Sequence, residues 1–218
     1  MGLALSVGIL AEMKELGEEE GYRRRREEIE ALQAFLDDSG FETWDEPEDS
    51  SELDTHADLL SFPVSFLHFL RRAYARVRQD PHAALQPVES EFLSDEDEDI
   101  MNAVSRWGDS HLLCHSDHSG YYVPIQFDEP LFAPEGADVP GYGMVGSSYG
   151  LMEELRVIAP HIEVEVDEDG NLPESEVERI NGINDTSNHQ FGAEQTAFLT
   201  LWEAARVSIA QRAAICFH

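Results

Sequence analysis

Apolar positions recur with helical spacing over most of the chain. Gly192 to Gln211 carries the clearest pattern, with Phe198, Leu201, Trp202, Ala205 and Ile209 on one stripe. Pro63 stands where helix starts favour proline, and Phe66, Leu70, Ala73 and Val77 then make a buried face, with Leu67 and Tyr74 beside it. Leu3 to Leu16 reads as a helix through Leu3, Val7, Leu10 and Met13. Glu18 to Asp38 reads as a charged helix with a thin stripe, Tyr22, Ile29, Leu32 and Leu36, ended by Gly40. Ser94 is an N-cap with Asp97 three positions on, and the acids behind it fall where the helix dipole favours them. Ser147 or Ser148 caps a helix from Gly150 to Ala159, and Pro173 to Ile180 is a short helical turn.

Strand patterns are fewer. Trp107 to Phe127 reads as a hairpin, with His111 to His115 and Tyr121 to Phe127 as its arms and Ser116 to Gly120 as its turn. Ile162 to Val166 alternates, and Asp169-Gly170 after it is a turn signal. Ala214 to Phe217 is a short buried strand. The predicted class is α+β, about six helices packed around a small, mostly antiparallel sheet. Residues 1–218 fit one domain, helical over 1–106 and mixed over 107–218. Trp44 to Asp58, acidic and holding Pro47, is the natural place for a flexible connection.

Charge changes the picture most. The formal net charge is −31, from 45 acidic and 14 basic side chains, and Lys14 is the one lysine. Such a chain lacks the cations that bind nucleic acid or an anionic membrane surface, so neither is expected as a partner, and a protein partner remains. Three explanations compete: a salty host, an acidic decoy for a cationic partner, or an ordinary solvated surface. The acids run along the whole chain, whereas a decoy would gather them on one face, so the composition favours a salty host over a decoy. No apolar run reaches membrane-spanning length, the start lacks the basic region of a signal peptide, and two cysteines make no disulfide framework. A soluble, reduced, cytoplasmic protein is the expectation.

Two clusters carry candidate chemistry. His111, Cys114, His115, Asp117 and His118 supply imidazole, thiolate and carboxylate, which suit zinc or iron. Cys114 and His115 point to opposite faces of a regular strand, so a metal would draw on the turn, through His115, Asp117 and His118 with His111 nearby. Three ligands and an open position would activate water. The second cluster is His68, Arg71, Arg72 and Arg76, opposite the apolar stripe of its helix, a cationic face for an anion or a partner. Arg23 to Arg26 also looks basic, but its neighbours Glu19, Glu20, Glu27 and Glu28 make it a salt-bridged surface.

Two motifs mislead. Gly141, Gly143 and Gly146 match a dinucleotide fingerprint, yet Pro140 precedes them instead of a buried strand, so they read as a flexible loop. The segment from Glu165 to Glu176 matches much of a calcium loop but lacks an entering helix. No nucleophile elbow, P-loop or zincin helix is present, and no catalytic residue is assigned. The expected function is non-enzymatic binding or inhibition with no cofactor. The alternative is a metal-dependent hydrolase built on residues 111–118.

Overall fold

The computed structural model describes residues 2–49, 61–88, 90, 92–183 and 189–218. Among them lie eight α-helices: α1 (Ile9–Glu15), α2 (Glu19–Asp38), α3 (Val64–Gln79), α4 (Asp95–Ser105), α5 (His111–Cys114), α6 (Ser148–Ile158), α7 (Glu174–Asn181) and α8 (Gly192–Gln211). Five strands form one sheet in the order β2 (Leu5–Val7), β7 (Ile215–Phe217), β4 (Gly120–Val123), β6 (Met144–Ser147), β5 (Leu131–Phe132). β4 and β6 run parallel and the other neighbours antiparallel. A separate ribbon pairs β1 (Gly2–Leu3) with β3 (Phe62–Pro63). The α+β class read from the sequence holds.

The sheet separates two cores because strand side chains alternate between faces. Tyr121, Val123, Val145 and Cys216 point to one side, where Ile29, Leu32 and Leu36 of α2 and Ile9 and Leu10 of α1 cover them. Tyr122, Ile215, Phe217, Leu5 and Val7 point to the other, against α3, α6 and α8. α8 packs against both α3 and α6 and is buried on nearly all sides. That is why its sequence is apolar or small almost throughout.

The expected hairpin does not form. Residues 111–114 are a helical turn, not a strand, because the N–H groups at their amino end all find partners at once. The Ser110 hydroxyl accepts from the Leu113 N–H, and the Glu154 carboxylate accepts from the N–H groups of His111 and Leu112. β4 instead pairs with β6 and β7. Ile162 to Val166 is no strand either, since a 3₁₀ turn over Ala159–Ile162 ends with Glu163 in the left-handed region. The first predicted helix starts late. Gly8, at φ 74°, divides β2 from α1, and all three β2 residues are buried, so β2 shows no alternation. Gly146 lies in β6 opposite Tyr122, and a Cβ there would stand 2.3 Å from the Tyr122 ring. The third glycine of the false fingerprint is a packing requirement within a buried strand, not part of a flexible loop. Trp44 is buried in the second core and Gln33 donates to its carbonyl at 2.6 Å. Residues 50–58 of the predicted connection lie outside the described residues.

Candidate functional site

The cationic face predicted on α3 is turned inward. Arg71 and Arg72 are 4% and 5% exposed, because α4 and the 112–117 turn lie over that side of the helix. Arg71 donates from Nε to the Leu112 carbonyl at 2.8 Å, from one terminal nitrogen to the His115 carbonyl at 2.7 Å, and from the other to Asp117. Arg72 bonds Asp97 at 2.9 Å and the Gln86 carbonyl at 2.6 Å, and Arg76 reaches the same Asp97 oxygen at 2.5 Å. The arginines therefore hold loops against α3. Burial works to raise the Asp97 pKa, but hydrogen bonds from Ser94, Arg76 and Arg72 outweigh it and bring the group down to about 2.

The two predicted clusters meet at Asp117. His68 donates to it at 2.9 Å alongside Arg71, and these contacts, the His68 bond foremost, hold its carboxyl well below the usual range against burial. His115 is a core residue: its ring stacks on Tyr122 at 4.2 Å and meets Phe217 at 4.4 Å. Burial pushes its pKa down to about 3. His111 accepts from the Ser147 N–H at 3.1 Å, Cys114 has its Sγ 3.7 Å from the Ser105 carbonyl, and His118 is exposed. Among the described residues, no three His, Cys, Asp or Glu side chains are placed to hold a metal ion. Cys114 and Cys216 are both free thiols.

What the fold gathers instead is carboxylate. In the first turn of α4, Asp95, Glu96, Glu98 and Asp99 point outward while Asp97 turns in to the arginines. From Glu163 to Glu178 the chain holds eight carboxylates and neither lysine nor arginine. Seven of them, all but Glu176, are exposed. Glu176 is buried and takes Arg179 on both its oxygens. The 163–178 run adjoins the amino end of α8, while α4 is held to α3 by Arg72 and Arg76, and α3 in turn packs against α8. Gln195 accepts from Arg179 at 3.4 Å and donates to the Ile162 carbonyl at 2.8 Å. α2, across the sheet, is different in kind: it carries seven carboxylates and four arginines. Arg24 and Arg25 both pair with Glu28, and Arg26 pairs with Glu30. The cation-free window at 163–178 was visible in the sequence, but the inward turn of the arginines beside α4 was not.

Over residues 1–217 the chain matches the family model described as "Putative DNA-mimic protein", and it belongs to that family. No curated protein and no solved structure matches it. Membership corrects the functional reading. A metal-dependent hydrolase is overturned, a non-enzymatic binding role is loosely consistent, and the decoy that composition placed behind a salty host moves to the front. The partner reading is corrected with it. Setting nucleic acid aside missed the point that a DNA mimic addresses proteins that bind DNA. No helix among the described residues is long and apolar enough to cross a membrane.

Proposed function

We propose that this member of a DNA-mimic family binds a DNA-binding protein through its outward carboxylate runs, and so competes with DNA for it. The observation that carries this reading is the pair of outward carboxylate runs, at Asp95–Asp99 and at Glu163–Glu178, with Arg72 and Arg179 spent on the buried carboxylates Asp97 and Glu176.

Charge density supports it. Duplex DNA carries a charge about every 1.7 Å of axis. A helix rises about 1.5 Å per residue, so the four outward acids that open α4 fall within about 6 Å of helix axis. A partner's lysine and arginine side chains then meet a spacing close to that of phosphates. Binding releases counterions from the carboxylates and weakens as salt rises, as DNA binding does. Cytoplasm is the compartment in which such a partner would be met.

The test is retention. Proteins held by the immobilised chain from a lysate of its host are eluted with duplex DNA and identified. The expected result is a set of DNA-binding proteins, lost when Glu163, Glu165, Glu174 and Glu178 are all changed to glutamine. Equal retention by that variant, or bound proteins that duplex DNA does not displace, refutes the reading.

A further inference from the structure

Among the described residues, a largely apolar pocket of about 450 Å³ lies between α6, α7, α8 and residues Asn171 and Leu172. That volume is in the range of sites that hold whole small molecules, so one large side chain fits it. Its deeper lining, Met152, Val177 and Trp202, is buried. Leu172 and Ile209 are half-buried and Ala210 is exposed, so apolar lining also reaches water.

The two cations of the pocket are already paired. Arg156 donates from Nε to the Gly170 carbonyl at 3.0 Å and pairs with Glu153 at 2.5 Å. Arg206 donates to both oxygens of Glu203, at 2.8 and 2.7 Å. An anion therefore gains little here. A guanidinium whose bonds lie in its plane still stacks on an aromatic ring through its face. Arg156 already stands 6.0 Å from the Trp202 ring in this way, and both guanidiniums are partly exposed.

Acid stands directly beside this pocket. The bond from Arg156 to Gly170 ties it to the turn at 167–171. The Asp167 carboxylate closes that turn, accepting from the N–H groups of Asp169 and Asn171 at 3.0 and 2.7 Å. Asp167, Glu168 and Asp169 are exposed on it. Glu178, next in the chain to Val177, is exposed as well. The apolar pocket and the 163–178 run thus share an edge.

We propose that this pocket receives an aromatic side chain, flanked by lysine or arginine, from the DNA-binding protein that the carboxylate runs attract. This rests on the competition with DNA proposed above, and it narrows the partner to proteins that stack aromatic side chains on bases. Such proteins set those rings among the cations that follow the phosphate backbone. Without DNA the ring is apolar surface in water. Here it is covered by apolar lining and guanidinium faces, while the cations beside it meet the carboxylates of 167–169.

The probes are the peptide Lys-Lys-Phe-Lys-Lys, its counterparts with alanine or leucine at the centre, and Ser-Ser-Phe-Ser-Ser. Binding to the full-length protein is followed through the ¹³C methyl signal of Met152. Lys-Lys-Phe-Lys-Lys should move that signal along a saturable curve and bind about tenfold or more tightly than the alanine peptide. Ala210→Trp places a ring in the pocket from an exposed position and should abolish the preference. Its thermal midpoint shows whether the fold survives, and the Met152 shift in the unaltered chain decides the matter if it does not. An unmoved Met152 overturns the proposal, as does a folded Ala210→Trp that keeps the preference. Equal binding of the alanine or leucine peptide overturns it too, since the ring would then have no part. So does Ser-Ser-Phe-Ser-Ser binding as tightly, since the neighbouring acid would then be idle. The alanine peptide answers to the carboxylates alone, so its equal binding sinks the pocket and spares the runs. Retention unchanged by the four glutamine replacements sinks the runs themselves.

Discussion

Replacing Asp97 by alanine strips two arginines of their shared counter-charge at once. Arg72 is 5% exposed and Arg76 half-buried, and both meet the same carboxylate oxygen. Removing one member of a buried ion pair costs about 3–5 kcal/mol, because the charge left behind is neither solvated nor paired. Titration gives a second measure. A fall from 3.8 to about 2 is worth roughly 2–3 kcal/mol at neutral pH, at about 1.4 kcal/mol per unit. The bond from Ser94, which donates to Asp97 at 2.7 Å, is already part of that fall, so the remainder is the cost of a stranded guanidinium. Urea unfolding of Asp97→Ala at pH 7 should therefore show a loss of about 3–5 kcal/mol with an unchanged slope. Since the folded carboxyl titrates low, its share is present above pH 3.8 and disappears as pH falls towards 2. The variant should lack that acid-side loss. Arg72→Met combined with Asp97→Leu, which leaves Arg72 no stranded charge, should recover much of the difference. A loss below about 1 kcal/mol for Asp97→Ala, the value for a solvated surface pair, would refute the reasoning.

Three further outcomes follow from the structure. Burial raises Glu46 and Glu154 to about 7, against hydrogen bonds that lower them, so each favours the fold when protonated. Their contribution is complete below the ordinary 4.5 and is lost as pH rises through 7, so the thermal midpoint should be higher at pH 5.5 than at 8.5. Glu46→Gln should flatten that slope. Gly146→Ala drives a Cβ into the Tyr122 ring and should cost about 1–3 kcal/mol by calorimetry, whereas a neutral result would mean that β6 can shift away. With a net charge of −31, the midpoint should rise with potassium chloride, since 0.1 M salt screens charges beyond about 10 Å; a flat response would show that the carboxylates do not repel in the folded state.

Elements with a self-contained signal were legible in the sequence. α8 and α2 match their predicted limits within a residue, and Ser94 caps α4 as its spacing implies. What escaped depended on partners distant in the chain. His111 to His115 alternates like a strand, but a carboxylate from Glu154, more than forty residues on, completes a helical turn. The α3 arginines lie opposite an apolar stripe, as solvent-facing residues would, yet α4 and Asp117 fold over them. A helical wheel cannot distinguish an outer face from one that is covered later. The carboxylate surface was missed for a related reason: its two runs are more than sixty residues apart, and only the fold shows that both face outward while the arginines beside α4 turn in.

The inward seating of Arg71 and Arg72 has a kinetic consequence. Cations sunk under α4 contribute little to the potential a distant partner feels, while the four α2 arginines, three of them exposed, stand on the far side of the sheet. The molecule is thus electrically lopsided as well as anionic. On the proposed reading, a cationic partner diffusing nearby would experience a torque as well as a pull, and would be turned towards the outward carboxylate runs before any contact forms. Steering of this kind raises association rates by about 10- to 1000-fold and fades with ionic strength. The arginines that hold the loops down also decide which way a visitor is facing when it arrives.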